Sequence, residues 1–201
     1  MGVVAASGRE RVLQTAAELF NERGFHAVGV DLIIERAGVA KTTLYRHFPS
    51  KDDLIVAYLD DANTRFWSWF DGAVDPDVPP REQLVGLFEA VAKLTASPAC
   101  LGCTFQVTAA EFPEAGHPGH ATALAHKQAV GTRLHDLTTA AGAPEPTALA
   151  DGLLLLMDGA FAAARMYGRS SPAARVATAA RTLIDAHLPA GRRTGATGRR
   201  S

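Results

Sequence analysis

The stretch AGVAKTTLYRHFPSK, residues 37–51, admits two folds and little else. A glycine, a lysine and two threonines suit either a loop wrapped around nucleotide phosphates or a short helix laid against nucleic acid. The phosphate loop needs G-x-x-x-x-G-K-[ST] between a strand and a helix. Here Ala40 precedes Lys41, Glu35 stands five residues further back, and no strand pattern comes before them. The nucleotide cradle fails on spacing and on context.

A helix-turn-helix fits. Short helical patterns at Val30–Ala37 and Lys41–Phe48 flank Ala37-Gly38-Val39, and Gly38 supplies the backbone freedom of a tight inter-helix turn. Ile33 and Ala37 anchor the first helix, and Val39 plugs the turn. Leu44 and Phe48, four apart, form the inward stripe of the second, and Pro49 ends it. Lys41, Thr42, Thr43, Tyr45, Arg46 and His47 are left facing outward or sideways. These are the residue types that touch phosphates and base edges. Arg36, Lys41, Arg46 and Lys51 form a basic patch with no Asp or Glu between positions 36 and 51. The formal net charge is only −1, so nucleic-acid affinity has to come from this local patch.

Helical spacing runs through the rest of the chain, and no alternating strand pattern competes with it. Ser7 and Glu10 have capping-box spacing ahead of Leu13, Ala16, Ala17 and Phe20, with Gly24 as the stop. Ser50 and Asp53 cap a fourth helix carrying Leu54, Tyr58, Ala62, Phe66 and Phe70. Pro80 opens a fifth. Cys103 to Phe112 is a short sixth, PEAGHPGH reads as a loop, and Ala121 to Ala141, Thr147 to Tyr167 and Pro172 to Leu188 complete the set. The expectation is an all-α fold of about nine helices. Residues 7–52 form a small three-helix DNA-binding module, 53–189 a larger helical domain, and 190–201 a disordered basic tail with Arg192, Arg193, Arg199 and Arg200.

Two cysteines, Cys100 and Cys103, make no disulfide framework. The start lacks a signal peptide's basic and apolar regions, and Ala6 breaks the myristoylation pattern. The most apolar run, Leu153 to Met157, is cut by Asp158 and reads as too short for a membrane span. These features point to a cytoplasmic protein with no membrane partner.

Residues 10–55, ERVLQTAAELFNERGFHAVGVDLIIERAGVAKTTLYRHFPSKDDLI with its immediate neighbours, resemble the DNA-binding domain of the TetR family of bacterial transcriptional regulators. Leu19-Phe20, Gly24-Phe25, Ile33, Ala37-Gly38-Val39, Thr43-Leu44-Tyr45, His47-Phe48, Lys51 and Leu54 carry the likeness. The resemblance implies a homodimer reading a palindromic double-stranded DNA operator and a C-terminal domain that binds a small-molecule effector. It assigns DNA contact to Thr42, Thr43, Tyr45 and His47, and phosphate contact to Lys51. Gly29 and Ala40 depart from the pattern by removing a side-chain oxygen ahead of each helix of the motif.

Beyond that module, the aromatics Phe66, Phe70, Phe88, Phe105, Phe112 and Phe161 are candidates for an apolar effector pocket. The Ala- and Gly-rich pair at 147–188, with Gly152, Gly159, Ala160 and Ala163, suits an intersubunit helix bundle. Cys103, Glu111, His117, His120 and His126 gather between 103 and 126. They allow an alternative metal- or redox-dependent regulator or an enzyme, but show no nucleophile–base–orienter set and no H-E-x-x-H. The reading is therefore a non-enzymatic regulator with no metal or cofactor.

Overall fold

The capping boxes at Ser7 and Ser50 both form, and they start the two helices on which the rest is hung. The computed structural model describes residues 6–188. The basic tail expected at 190–201 lies outside them. The elements are α1 (Gly8–Arg23), α2 (Val30–Ala37), α3 (Lys41–His47), α4 (Lys51–Ala73), α5 (Pro80–Thr95), α6 (Thr104–Glu111), α7 (Pro118–Ala140), α8 (Pro146–Tyr167) and α9 (Val176–His187). No strand occurs among the described residues.

Two expected boundaries move. PEAGHPGH is only partly a loop: α7 begins at Pro118, because His117 caps it through Nδ1, which accepts from the Gly119 N–H at 3.1 Å. The last segment is not one helix. A 3-10 turn, Pro172–Arg175, precedes α9, and Ser171 caps that turn at the Ala173 N–H.

The chain builds two cores. The first holds Val12, Ala16, Leu19 and Phe20 of α1, Ile33 of α2, Leu44 of α3 and Leu54, Ile55, Tyr58 and Leu59 of α4. It also recruits Phe105 and Phe112 from either end of α6 and Ala123 of α7. The second holds Phe70 with Leu84, Leu87, Phe88 and Val91 of α5, and the buried faces of α7, α8 and α9. The division expected at 52/53 therefore falls inside the head's own core. The change of core comes after Leu59, partway along α4, which is about 34 Å long at 1.5 Å per residue.

The helix α8 packs on α7 and α9 at the centre of the larger core. Taken whole, it is long and apolar enough by composition to cross a bilayer, so the short run read from the sequence understated it. Its apolar residues outnumber what one buried stripe needs. The surplus, Leu155 at 73% and Met166 at 75% exposure, lies on the outside.

Candidate nucleic-acid interface and an apolar cavity

Gly38 adopts φ 61°, ψ 42°, the left-handed conformation that lets the chain leave α2 and re-enter a helix three residues later. Val39 N–H returns to the Ile34 carbonyl at 3.3 Å, closing the turn. Leu44 and Phe48 then bury completely against the head core, which fixes the rotation of α3. The opposite face is determined by that rotation. Lys41, Thr42, Tyr45, Arg46 and His47 are exposed, and Thr43 is half-buried with its methyl group close to Gly8 of α1. Ala40 and Gly29 give no side-chain cap to α3 or α2, as their lack of an oxygen requires.

The charges on this face are loosely held. Lys41 pairs with Asp31 at 3.2 Å, but both side chains are largely exposed, and such a pair contributes little. Lys51 is different. Its ammonium donates to the Phe25 carbonyl at 2.6 Å, and burial lowers its pKa below the ordinary lysine value. One of its three N–H donors is thus committed to the α1–α2 loop.

That loop is gripped from the other side as well. The Glu111 carboxylate, at the end of α6, accepts the N–H groups of Phe25 and His26 at 2.8 and 2.9 Å. The His26 ring donates through Nε2 to the Glu111 carbonyl at 2.8 Å. Gly24 makes the approach possible: at φ 79° and ψ 172° it has a backbone conformation closed to other residues, and a Cβ there would stand 2.5 Å from Glu111 Oε1. A second tie lies at the opposite end of α6. The Tyr58 hydroxyl donates to Asn21 Oδ1 of α1 at 2.9 Å and meets Thr104 Oγ1 at 2.7 Å, so that the Thr104 hydroxyl supplies the second proton.

Thr104 borders a cavity of about 350 Å³ between α4 and the helices of the larger domain. Phe66, Trp69, Phe105 and Phe161 wall it, with Leu94, Val130 and Met157. Arg65, His126, Lys127 and Cys103 supply the polar edges. Of the six aromatic candidates, Phe66, Phe105 and Phe161 are here. The other three are not. Phe70 and Phe88 are wholly buried in the second core, and Phe112 closes the head core by packing on Phe25 at 5.6 Å. Helical periodicity cannot tell a core ring from a wall ring, since both face inward.

The histidine and acid cluster read from the sequence is dispersed. No group of three or more His, Cys, Asp or Glu side chains is placed to hold a metal ion among the described residues. Glu111 holds the head loop. His117 caps α7 and stacks on Phe112, His120 Nδ1 donates to the Phe112 carbonyl at 2.7 Å, and Cys103 lies at the start of α6. His126 turns the other way, into the cavity wall. The roles of Glu111 and Tyr58 in holding the head are not legible at their own positions in the sequence. Gly24-Phe25 was the available signal, because a glycine followed by a buried aromatic marks a loop that something else approaches closely.

Residues 12–58 match the family model described as bacterial regulatory proteins, tetR family. The HTH-type transcriptional repressor KstR2 of Mycolicibacterium smegmatis is 36% identical over 85 residues, 42% of each chain. The HTH-type transcriptional activator FasR of the same organism is 51% identical over 51 residues, 25% of this chain and 23% of that one. These matches span less than half of either relative. Likeness over the whole fold comes from a crystal structure of a TetR-family transcriptional regulator from Streptomyces coelicolor. It is 31% identical at a TM-score of 0.85, covering 90% of this chain and 96% of that one. A TetR transcriptional regulator from Chloroflexus aurantiacus is 26% identical at a TM-score of 0.77, covering 89% and 94%.

Proposed function

The chain belongs to the TetR family of bacterial transcriptional regulators, and on that premise we propose that it acts in the cytoplasm as a homodimeric, ligand-responsive repressor of a palindromic operator. The observation that carries the DNA half is α3. Its inward stripe is sealed and its outward row is polar and basic, a short helix shaped for the major groove. Thr42, Thr43, Tyr45 and His47 are assigned to bases and nearby phosphates; Lys41, Arg46 and the remaining donors of Lys51 are assigned to phosphates. Repression is the sign favoured by the likeness to KstR2, while FasR supplies the opposite sign as the alternative.

Dimerisation is supported by α8. Leu155, Gly159, Ala162 and Met166 recur at helical spacing and are all exposed, an apolar stripe suited to a second copy. Gly152, expected at that interface, is used within the protomer instead, where Leu183 packs onto it.

The response to ligand is assigned to α6 and α4 together. Thr104 and Phe105 border the cavity while Glu111, at the other end of the same helix, holds the head. Filling the cavity shifts α6 and tilts α4, changing the separation of the two recognition helices. A coupling of about 1–3 kcal/mol is expected, equal in both directions by linkage.

The test is a selection of genomic fragments bound by the purified protein, followed by footprinting. The reading expects two inverted half-sites centred about 34–36 Å apart, with affinity falling steeply as salt rises. Protection without inverted symmetry would remove the dimer from the account. Binding that ignores sequence would remove the regulator.

A further inference from the structure

We propose, resting on the regulator reading, that the cavity takes a neutral, flat aromatic molecule bearing one hydrogen-bond donor, such as a phenolic hydroxyl, and that Nε2 of His126 accepts it. The inference starts from a ring held on three sides. His126 is 5% exposed. Phe105 stacks on it at 3.6 Å and 10°, and Phe66 meets it edge-on at 4.7 Å and 81°. Its Nδ1 lies 2.7 Å from Asn63 Oδ1. An amide oxygen only accepts, so the ring's proton is on Nδ1 and Nε2 carries a bare lone pair.

Nε2 has no protein partner among the described residues. Yet no side-chain nitrogen or oxygen there is sealed from solvent without one. Nε2 therefore opens onto space. Asn63, which holds Nδ1, borders a smaller pocket that His126 also lines. His126 borders the larger cavity as well, and with Nδ1 held by Asn63 the second ring nitrogen is directed away from Asn63. Burial, aided by the neighbouring charge of Lys127, depresses the imidazole pKa to about 4, so the ring stays a neutral acceptor in the cell.

The remaining polar groups offer a charged ligand no unpaired counter-ion. Lys127 is already paired with Asp158 and Arg65 with Asp61, while no carboxylate borders the cavity. A cationic ligand meets two cations and no anion. A carboxylate ligand has to take Lys127 from Asp158, leaving that half-buried acid unpaired, or draw Arg65 out of its exposed pair with Asp61. Thr104 is spent on Tyr58. Nε2 of His126 is an acceptor without a protein partner among four aromatic rings, and rings are best met by another ring, face or edge.

The experiment titrates the full chain with four probes: 2-naphthol, 2-methoxynaphthalene, naphthalene and 2-naphthoate. Calorimetry reads affinity, and the fluorescence of Trp69 in the wall gives a second reading. Wild type should bind 2-naphthol about tenfold tighter than 2-methoxynaphthalene or naphthalene, one net hydrogen bond's worth, and tighter than 2-naphthoate. His126→Phe, which keeps the stack, should bring 2-naphthol to the affinity of naphthalene and leave naphthalene unchanged. The methoxy probe makes the test independent of whether that variant folds.

Tightest binding by 2-naphthoate, an undiminished naphthol preference in folded His126→Phe, or no binding by any probe overturns the ligand class. Operator affinity measured alongside separates the two readings. Naphthol that binds as expected but leaves operator affinity unchanged sinks the ligand-responsive reading and spares the ligand class. Operator release by a probe of the wrong preference does the reverse.

Discussion

The head and the larger domain are both built from buried apolar helix faces, but one is solid and the other hollow. In the head, Phe20, Phe25 and Tyr58 touch ring to ring at 4.9–5.9 Å, and Leu44 and Ile33 fill what remains. In the larger domain the rings of Phe66, Trp69, Phe105 and Phe161 stand around a void. A solid core fixes the angle of α3 and hence what α3 can touch. A hollow one leaves free energy for a ligand to release by filling it. The difference suits a rigid reader joined to an adjustable sensor.

Leu44→Ala should cost about 2–5 kcal/mol in urea unfolding, because the head cannot collapse onto the vacancy. Phe161→Ala removes a larger side chain, for which about 3–5 kcal/mol is usual in a packed core. It should nevertheless cost less than Leu44→Ala, because one side of the ring already faces the cavity. The opposite order would mean the larger domain is packed as tightly as the head.

A pH scan sharpens the same contrast. His126 titrates near 4 in the folded protein against an ordinary 6.5. Between those values the unfolded chain takes up a proton that the folded chain refuses, so stability falls as pH is lowered from 6.5 towards 4. The loss is roughly 3 kcal/mol at the lower end. His126→Phe should flatten that part of the curve relative to wild type. A wild-type curve no steeper than that of His126→Phe across this window would mean that the fold does not hold the imidazole neutral.

The seam between the regions comes next. Gly24→Ala adds a Cβ against Glu111 and strains a backbone closed to alanine, for about 1–3 kcal/mol. Glu111→Gln keeps an oxygen for the Phe25 and His26 N–H groups and should be nearly neutral, whereas Glu111→Ala should loosen the loop. Hydrogen exchange at Phe25 and His26 distinguishes them. Faster exchange in Glu111→Ala alone supports the clamp, and no change in either removes it. Smallest is Arg46→Ala, which should lower the salt slope of DNA binding by about one for each phosphate no longer neutralised, and so by about two per dimer. An unchanged slope places Arg46 away from the phosphates.

The same contrast explains what could be read beforehand. Much of the head's local geometry is set by contacts close in sequence: Ser7 with Glu10, Ser50 with Asp53, and Leu44 with Phe48 one turn apart along α3. Each is a spacing, so the sequence shows it. The cavity is made of residues from several helices, α4 to α8, and whether Phe88 or Phe161 faces it depends on how those helices cross. Spacing within one helix says only that both point inward. The histidines misled for a related reason. His117, His120 and His126 lie close in sequence, but the start of α7 at Pro118 turns the first two towards the head and leaves His126 two turns further along, against Phe105. Glu111 gave no local sign at all, since its partners lie 85 and 86 residues away.

The outward face of α3 is assigned to reading DNA sequence, and one titration decides that assignment. Wild type and Tyr45→Ala, each checked for an intact head by its urea transition, are titrated against the footprinted operator and a scrambled duplex at the same salt. Removing a base-directed side chain costs about 1–3 kcal/mol on the operator, roughly five- to 150-fold, with little change on the scrambled duplex. Equal weakening on both duplexes, or none on either, would contradict the assignment of α3 as the reading helix.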